Sequence, residues 1–146
     1  MDDIFGKYSN GTLDLCLQTQ PFSDRGSFVE SLKISVDSSN FEEIRADVLS
    51  TQEISVDPNE VDSMEKIENR LNLFKENFPR FKWFGKYYND YEDYFFSPAE
   101  AKEFLSECQE LQTLVTSDIA ILTLRKLIYS FNQAIEKNLY LGFICD

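Results

Sequence analysis

Near its start the chain alternates hydrophobic and polar residues, which predicts β-strands. Residues 12–19 place three leucines at every second position, and residues 28–36 place four hydrophobic side chains on one side. A loop that contains proline and glycine as breakers separates the two segments. We therefore predict two strands, the second antiparallel to the first. A helix over residues 24–32 is the alternative for the second segment.

Further along, hydrophobic residues recur three and four positions apart, which is typical of amphipathic helices. Residues 64–78 show this pattern clearly, and Pro79 disfavours helical geometry at the residue before it, so this helix should end near Asn77. Helices usually begin at a side chain that accepts a hydrogen bond from a free backbone amide of the first turn. The predicted N-cap residues of four helices are, in chain order, Ser39 or Asn40, Asp57, Ser97, and Thr116 or Ser117.

The last apolar run completes the predicted fold. Residues 139–145 are hydrophobic on both faces and predict a buried strand that joins the N-terminal pair. The resulting class is α+β, with a small antiparallel sheet from the N-terminal strands and the C-terminal strand, packed with three to four helices. A chain of 146 residues fits one domain, so we predict a single domain over residues 12–146 and a flexible N-terminus over residues 1–11.

Charge narrows the choice of partner. The chain carries 26 acidic and 14 basic residues, a net charge of −12. Such a surface repels nucleic acid and anionic membranes, whereas it attracts a basic protein. Ten of the acids lie in residues 37–68, beside only two basic residues. This acidic run is either a docking face for a basic partner or two solvated helix faces, and the overall charge could also serve solubility alone.

The rest of the composition lowers the expectation of catalysis. The chain has no histidine, which removes the commonest general base and the commonest metal ligand, although an enzyme with paired carboxylates stays possible. No glycine-rich phosphate loop is present, so we expect no cofactor. Residues 89–93 could bind a hard cation, but a solvated acidic turn is favoured and no metal is predicted. The cysteines Cys16, Cys108 and Cys145 should be buried free thiols, which with the absence of a signal pattern suggests the cytoplasm.

The most unusual stretch is the aromatic segment, residues 78–98, which holds ten of the 21 aromatic residues. We predict that its phenylalanines are mostly core, and that Tyr87, Tyr88 and Tyr91 are exposed. Gly85 should mark a turn between two short strands. Tyrosine and tryptophan recur at binding hot spots, and acids beside them can bind a partner's Arg or Lys. The predicted partner-binding residues are Trp83, Tyr87, Tyr88, Asp90, Tyr91, Glu92 and Asp93.

Three stretches carry a resemblance to a known family. They are "GSFVESLKISV", "MEKIENRLNLFKENFPRFKWF" and "VTSDIAILTLRKLIYSFNQAIEKNLYLGF", and together they span residues 26–143. Their order and pattern resemble small immunity proteins of bacterial polymorphic-toxin and contact-dependent inhibition systems, with the family catalogued as immunity protein seventy as the nearest likeness. The resemblance implies a non-catalytic cytoplasmic protein that binds one cognate toxin domain and blocks its active site or substrate channel. Many such toxins are basic nucleases.

These observations favour a toxin-neutralising binding protein that is not an enzyme, binds no nucleic acid directly and is monomeric. Two alternatives stay open. The chain could be a structural or regulatory subunit of a larger assembly, with the aromatic segment as a permanent interface. It could instead be an acidic inhibitor that mimics nucleic acid, in which case its binding should fall steeply with salt.

Overall fold

The computed structural model describes residues 13–22, 26–53 and 64–145, and the predicted flexible N-terminus, residues 1–11, lies outside these ranges. Four strands and four helices occur within them. In chain order they are β1 (Leu13–Gln18), β2 (Phe28–Val36), α1 (Ser38–Thr51), α2 (Met64–Asn77), β3 (Tyr94–Phe96), α3 (Pro98–Leu111), α4 (Asp118–Lys137) and β4 (Tyr140–Cys145).

The strands form one antiparallel sheet in the order β2-β1-β4-β3. The C-terminal strand pairs with the N-terminal one along its whole length, from Leu13 opposite Cys145 to Gln18 opposite Tyr140. The predicted α+β class, with a sheet from N-terminal strands and the C-terminal strand, is therefore confirmed. Residues 82–85 form the turn predicted at Gly85, but of the two short strands predicted around it only the second is present, as β3; residues 78–81 form no strand.

Strand β2 is an edge strand with two irregularities in its pairing to β1. Lys33 adopts a positive φ of 58° at the first, and the second inserts Val29 between the partners of Leu17 and Gln18. Bulges of this kind twist an edge and hinder pairing with another strand. They also explain why Phe28, predicted on the core side, is 50% exposed. The alternative helix is wrong, since residues 28–32 belong to the strand.

Helix α1 begins at a different cap from the one predicted. Asp37 is the N-cap, and its side chain accepts a hydrogen bond from the amide of Asn40 (3.1 Å). The Asn40 side chain in turn accepts from the amide of Asp37 (3.0 Å), which closes a capping box. Ser39 and Asn40 were the wrong choice because several consecutive polar residues here can each serve as a cap.

The other helix ends follow the sequence signals. Ser97 caps α3 and exchanges hydrogen bonds with Glu100 (2.9 and 3.1 Å), and Ser117 caps α4. Helix α2 ends at Asn77, as the following proline predicts. The predicted cap Asp57 lies outside the described residues. None of the described helices has an apolar run long enough to cross a membrane.

The core lies between one face of the sheet and the helices. The three leucines of β1 are fully buried on that face, opposite Leu141 and Phe143 of β4. Phe104 of α3 is the centre of the aromatic packing. Its ring lies within 6.2 Å, between centroids, of six other rings, those of Trp83, Phe84, Tyr88, Phe96, Phe131 and Phe143.

The three cysteines are free thiols. Cys16 and Cys108 are buried, as predicted, whereas Cys145 is only half-buried because it lies at the end of β4. Burial raises the pKa of the Cys108 thiol well above its ordinary value, so this group stays protonated and unreactive at neutral pH.

Candidate functional site

The structure divides the aromatic segment into a buried and an exposed part. The phenylalanines at positions 78, 81, 84 and 96 are buried, which confirms that most of them are core. Phe95 is only half-buried, because it lies opposite Gly142 on the face of the sheet that points away from the main core. The exposed aromatic side chain, that of Tyr91, lies after the turn.

Two of the predicted partner-binding residues are in the core. Trp83 is 5% exposed and stacks on Phe104, with 5.7 Å between ring centroids. Tyr88 is 2% exposed, and its hydroxyl donates to the carbonyl of Trp83 (2.8 Å). The predicted exposure of Tyr88 is therefore wrong: an internal carbonyl satisfies its polar tip, so its ring can be buried. Burial also raises the pKa of the Tyr88 hydroxyl, which stays neutral.

A buried arginine fixes the first half of the segment from the side of α1. The Nη1 atom of Arg45 donates to the carbonyls of Phe84 (3.1 Å) and Lys86 (3.2 Å), and its Nη2 atom is paired with the Glu42 carboxylate. Glu42 also lies 3.3 Å from Nε of Arg70 on α2. Arg45 itself is 1% exposed, so its charge depends on these partners.

A carboxylate of α3 holds the same turn from the other side. Oε1 of Glu107 accepts hydrogen bonds from the backbone amides of Trp83 (2.9 Å) and Phe84 (3.2 Å). Arg80 is bound by another α3 carboxylate, that of Glu110 (2.6 Å). Burial raises the pKa of Glu107 although the amide hydrogen bonds lower it. Glu107 and Arg45 thus act as positioning residues, and neither was singled out from the sequence.

Two substitutions of Glu107 distinguish the effect of its hydrogen bonds on stability from the effect of its charge. Glu107→Ala should lower the free energy of unfolding by about 1–3 kcal/mol, because two amides lose their acceptor. Glu107→Gln keeps a carbonyl acceptor and should cost less. The raised pKa means that the folded state retains a proton above pH 4.5 that the unfolded state has released. The stability that Glu107 contributes through this pKa shift is therefore fully present below pH 4.5, and it is lost as the pH rises through the pKa of the folded state.

Urea unfolding between about pH 4 and pH 8 measures both effects. The fall in stability that Glu107 causes as the pH rises should disappear in Glu107→Gln. An unchanged pH profile in that variant, or no loss of stability in Glu107→Ala, would contradict the assignment.

The exposed part is the Tyr91 loop, which we define as residues 89–93. Asp90 accepts from the backbone amide (2.9 Å) and hydroxyl (3.0 Å) of Ser38, at the positive end of α1. Asp93 accepts from the backbone amide of Cys145 (2.8 Å) at the end of β4. The loop is therefore bonded to two separate elements, one on each side of Tyr91.

Bonds within the loop complete its geometry. The Asn89 side chain accepts from the backbone amide of Tyr91 (2.7 Å), and the backbone amide of Asn89 donates to the hydroxyl of Tyr94 (2.8 Å). Glu92 makes a longer contact, 3.4 Å from the Tyr94 hydroxyl. Desolvation raises the pKa of Tyr94, so this hydroxyl keeps its proton at neutral pH. These hydrogen bonds involve the backbone of Tyr91 and not its ring.

Tyr91 projects into solvent from this frame. Its side chain is 87% exposed, the highest value among the exposed large hydrophobic residues that the structure describes. Glu92 and Asp93 are also exposed, and Tyr87 and Asp90 are half-buried. The structure thus brings five of the seven predicted partner-binding residues to the surface. The remaining two, Trp83 and Tyr88, are buried in the core.

Several acids of the acidic run bind within the molecule instead of facing solvent. Asp37 caps α1, Glu42 is paired with Arg45, and Asp47 accepts from the amide of Thr116 (2.6 Å). Other acids of the run, those at positions 57, 60 and 62, lie outside the described residues. A docking face over residues 37–68 stays a prediction, but its described part has fewer available carboxylates than the sequence suggests.

Two of the three acidic side chains that could have bound a cation in residues 89–93 are already hydrogen-bonded within the molecule. Both carboxylate oxygens of Asp90 accept hydrogen bonds from Ser38, and Asp93 is bonded to Cys145. In the described parts of the chain, no group of three or more acidic or cysteine side chains is placed to hold a metal ion. The geometry of the loop is therefore that of a fixed surface projection.

Comparison of the chain with protein-family models, with curated proteins and with solved structures finds no match in any of the three. The resemblance to immunity proteins consequently stays a prediction from the order of the sequence patterns.

Proposed function

We propose that this chain is a non-catalytic binding protein that neutralises a basic bacterial toxin domain, and that it contacts this partner through the Tyr91 loop. In this proposal it acts as a monomer in the cytoplasm, and it blocks the active site or the substrate channel of the toxin. The resemblance to immunity proteins motivates the choice of partner, and the loop geometry motivates the choice of surface.

The observation that carries the proposal is an exposed aromatic ring on an internally bonded loop. A free tyrosine ring gains much from burial against a partner, and it has few torsions to immobilise. Asp90 and Asp93 hold the backbone on either side of Tyr91, so little further ordering is needed on binding. Such preorganisation raises affinity by lowering the entropic cost of association.

The net charge supports a basic partner. A charge of −12 attracts a cationic protein over a distance and raises the rate of encounter, more so at low salt. This effect acts through the whole field of the molecule. It is separate from the short-range contacts that the loop itself can make.

Co-expression with the toxin encoded beside this chain tests the proposal. The wild-type protein should protect cells and co-purify with the toxin domain. Tyr91→Ala should weaken the complex by about 30-fold or more, the loss typical of a hot-spot aromatic. Isothermal titration calorimetry on the purified domains measures the change.

Phe28→Ala is the matched control, since it removes an exposed ring from β2, at the opposite edge of the sheet. It should leave affinity unchanged. Failure of the wild-type chain to bind or protect would refute the toxin-neutralising role. A loss in Phe28→Ala but not in Tyr91→Ala would move the interface to the β1–β2 hairpin.

A further inference from the structure

The Tyr91 loop looks like an acidic cluster in the sequence, but most of its acids are already bonded within the molecule. Asp90 uses both carboxylate oxygens on Ser38, and Asp93 accepts from the Cys145 amide. These hydrogen bonds hold both side chains in place and draw on their negative charge, so each is less available to a partner's cation than a mobile carboxylate would be. These two carboxylates therefore have a structural role.

Glu92 is the exception. Its carboxylate is exposed and lies 3.4 Å from the hydroxyl of Tyr94, a distance that is long for a charged hydrogen bond. It is also the direct neighbour of Tyr91 in the chain. The loop thus presents one exposed ring and one exposed carboxylate at consecutive positions.

We propose that the loop offers its partner one aromatic ring and one charge, Tyr91 and Glu92. The surface that fits them is an apolar pocket with a single Arg or Lys at its rim, and not a broad basic patch that would pair with all three acids of the loop. This inference rests on the proposed function and specifies the chemistry of the partner. Its physical basis is that internal hydrogen bonds fix the Asp90 and Asp93 carboxylates and partly compensate their charge, whereas the Glu92 side chain can turn towards an external cation.

Three isosteric substitutions separate local charge from total charge. Glu92→Gln, Asp90→Asn and Asp93→Asn each change the net charge from −12 to −11, so their effects on long-range attraction are nearly equal. The Asn side-chain oxygen can still accept from the amides of Ser38 and Cys145, and in Asp90→Asn the side-chain NH2 can donate to the Ser38 hydroxyl, which in the wild type donates to Oδ2. Differences in affinity then report which carboxylate touches the partner.

The probe is the toxin domain encoded beside this chain, titrated calorimetrically at two salt concentrations. Glu92→Gln should weaken binding about tenfold, as expected when a charged hydrogen bond is lost. Asp90→Asn and Asp93→Asn should each weaken binding less than about threefold, which is well below the loss expected for a charged hydrogen bond to the partner. Glu92→Lys should weaken it further than Glu92→Gln, and because the side chain is exposed this variant should fold normally. Thermal unfolding of each free variant verifies its fold.

The outcomes separate the two proposals. If the wild-type chain forms no complex, the proposed function fails. If a complex forms but either aspartate variant loses as much affinity as Glu92→Gln, the inference of a single charge is overturned while the function stands. If Glu92→Gln and Glu92→Lys both bind like the wild type, the partner has no cation at this position, and the inference is overturned as well.

Discussion

Replacing Arg45 with alanine should lower the free energy of unfolding by about 3–5 kcal/mol, because it removes one partner of a buried ion pair. The Glu42 carboxylate would be left buried beside Arg70 alone, and the carbonyls of Phe84 and Lys86 would lose their donor. Removing one member of a buried ion pair costs more stability than the intact pair contributes, because the remaining charged and polar groups stay buried without a partner.

Urea denaturation followed by the fluorescence of Trp83, the single tryptophan of the chain, measures this loss. Arg125→Ala is the control, because Arg125 is exposed on α4 and its removal should change stability by less than about 0.5 kcal/mol. Equal stability of the two variants would show that Arg45 does not hold the aromatic segment to α1.

Phe104→Ala should have a similarly large effect, a loss of about 3–5 kcal/mol. Phe104 is fully buried and its ring contacts residues from the turn, from β3, from β4 and from α4. Deletion of the ring removes apolar contact area and leaves a cavity that so many fixed neighbours cannot fill. Phe104→Leu retains most of the volume and should cost clearly less.

Ile119→Ala is the matched control for the loss of a large hydrophobic side chain. Ile119 is exposed at the start of α4, and its truncation should change stability by less than about 0.5 kcal/mol. The same urea experiment applies to all three variants. A loss of less than about 1 kcal/mol in Phe104→Ala would mean that the core can repack around the gap, contrary to the dense packing described here.

Local signals predicted most of the fold. The alternating leucines of β1, the Ser97–Glu100 capping box and the proline after α2 each act within a few residues, and the structure has all three features as predicted. The cap of α1 was not decidable in this way, since Asp37, Ser38, Ser39 and Asn40 are all suitable caps by residue type. The sequence predicted a short strand after Gly85 but did not place it at β3 or in the sheet, because three residues carry too little pattern and the pairing with β4 is non-local.

Residue type was a poorer guide to the candidate site. Tyr87, Tyr88 and Tyr91 are alike in the sequence, yet their exposures differ greatly, because only Tyr88 finds an internal carbonyl for its hydroxyl within the core. The anchors Arg45 and Glu107 could not be found from local patterns, since the groups they bind lie 39 and 23 residues away in the chain. Long-range hydrogen bonds thus decide which aromatic residue is left for a partner.

The most direct test of the proposed surface is tyrosine-specific labelling, read by mass spectrometry, of the free chain and of its complex with the toxin domain. In the free chain Tyr91 should react fast and Tyr88 should hardly react, in keeping with exposures of 87% and 2%. In the complex the labelling of Tyr91 should fall strongly, while that of the half-exposed Tyr140, on β4, stays unchanged. Unchanged labelling of Tyr91 in a complex that forms would contradict its role as the contact.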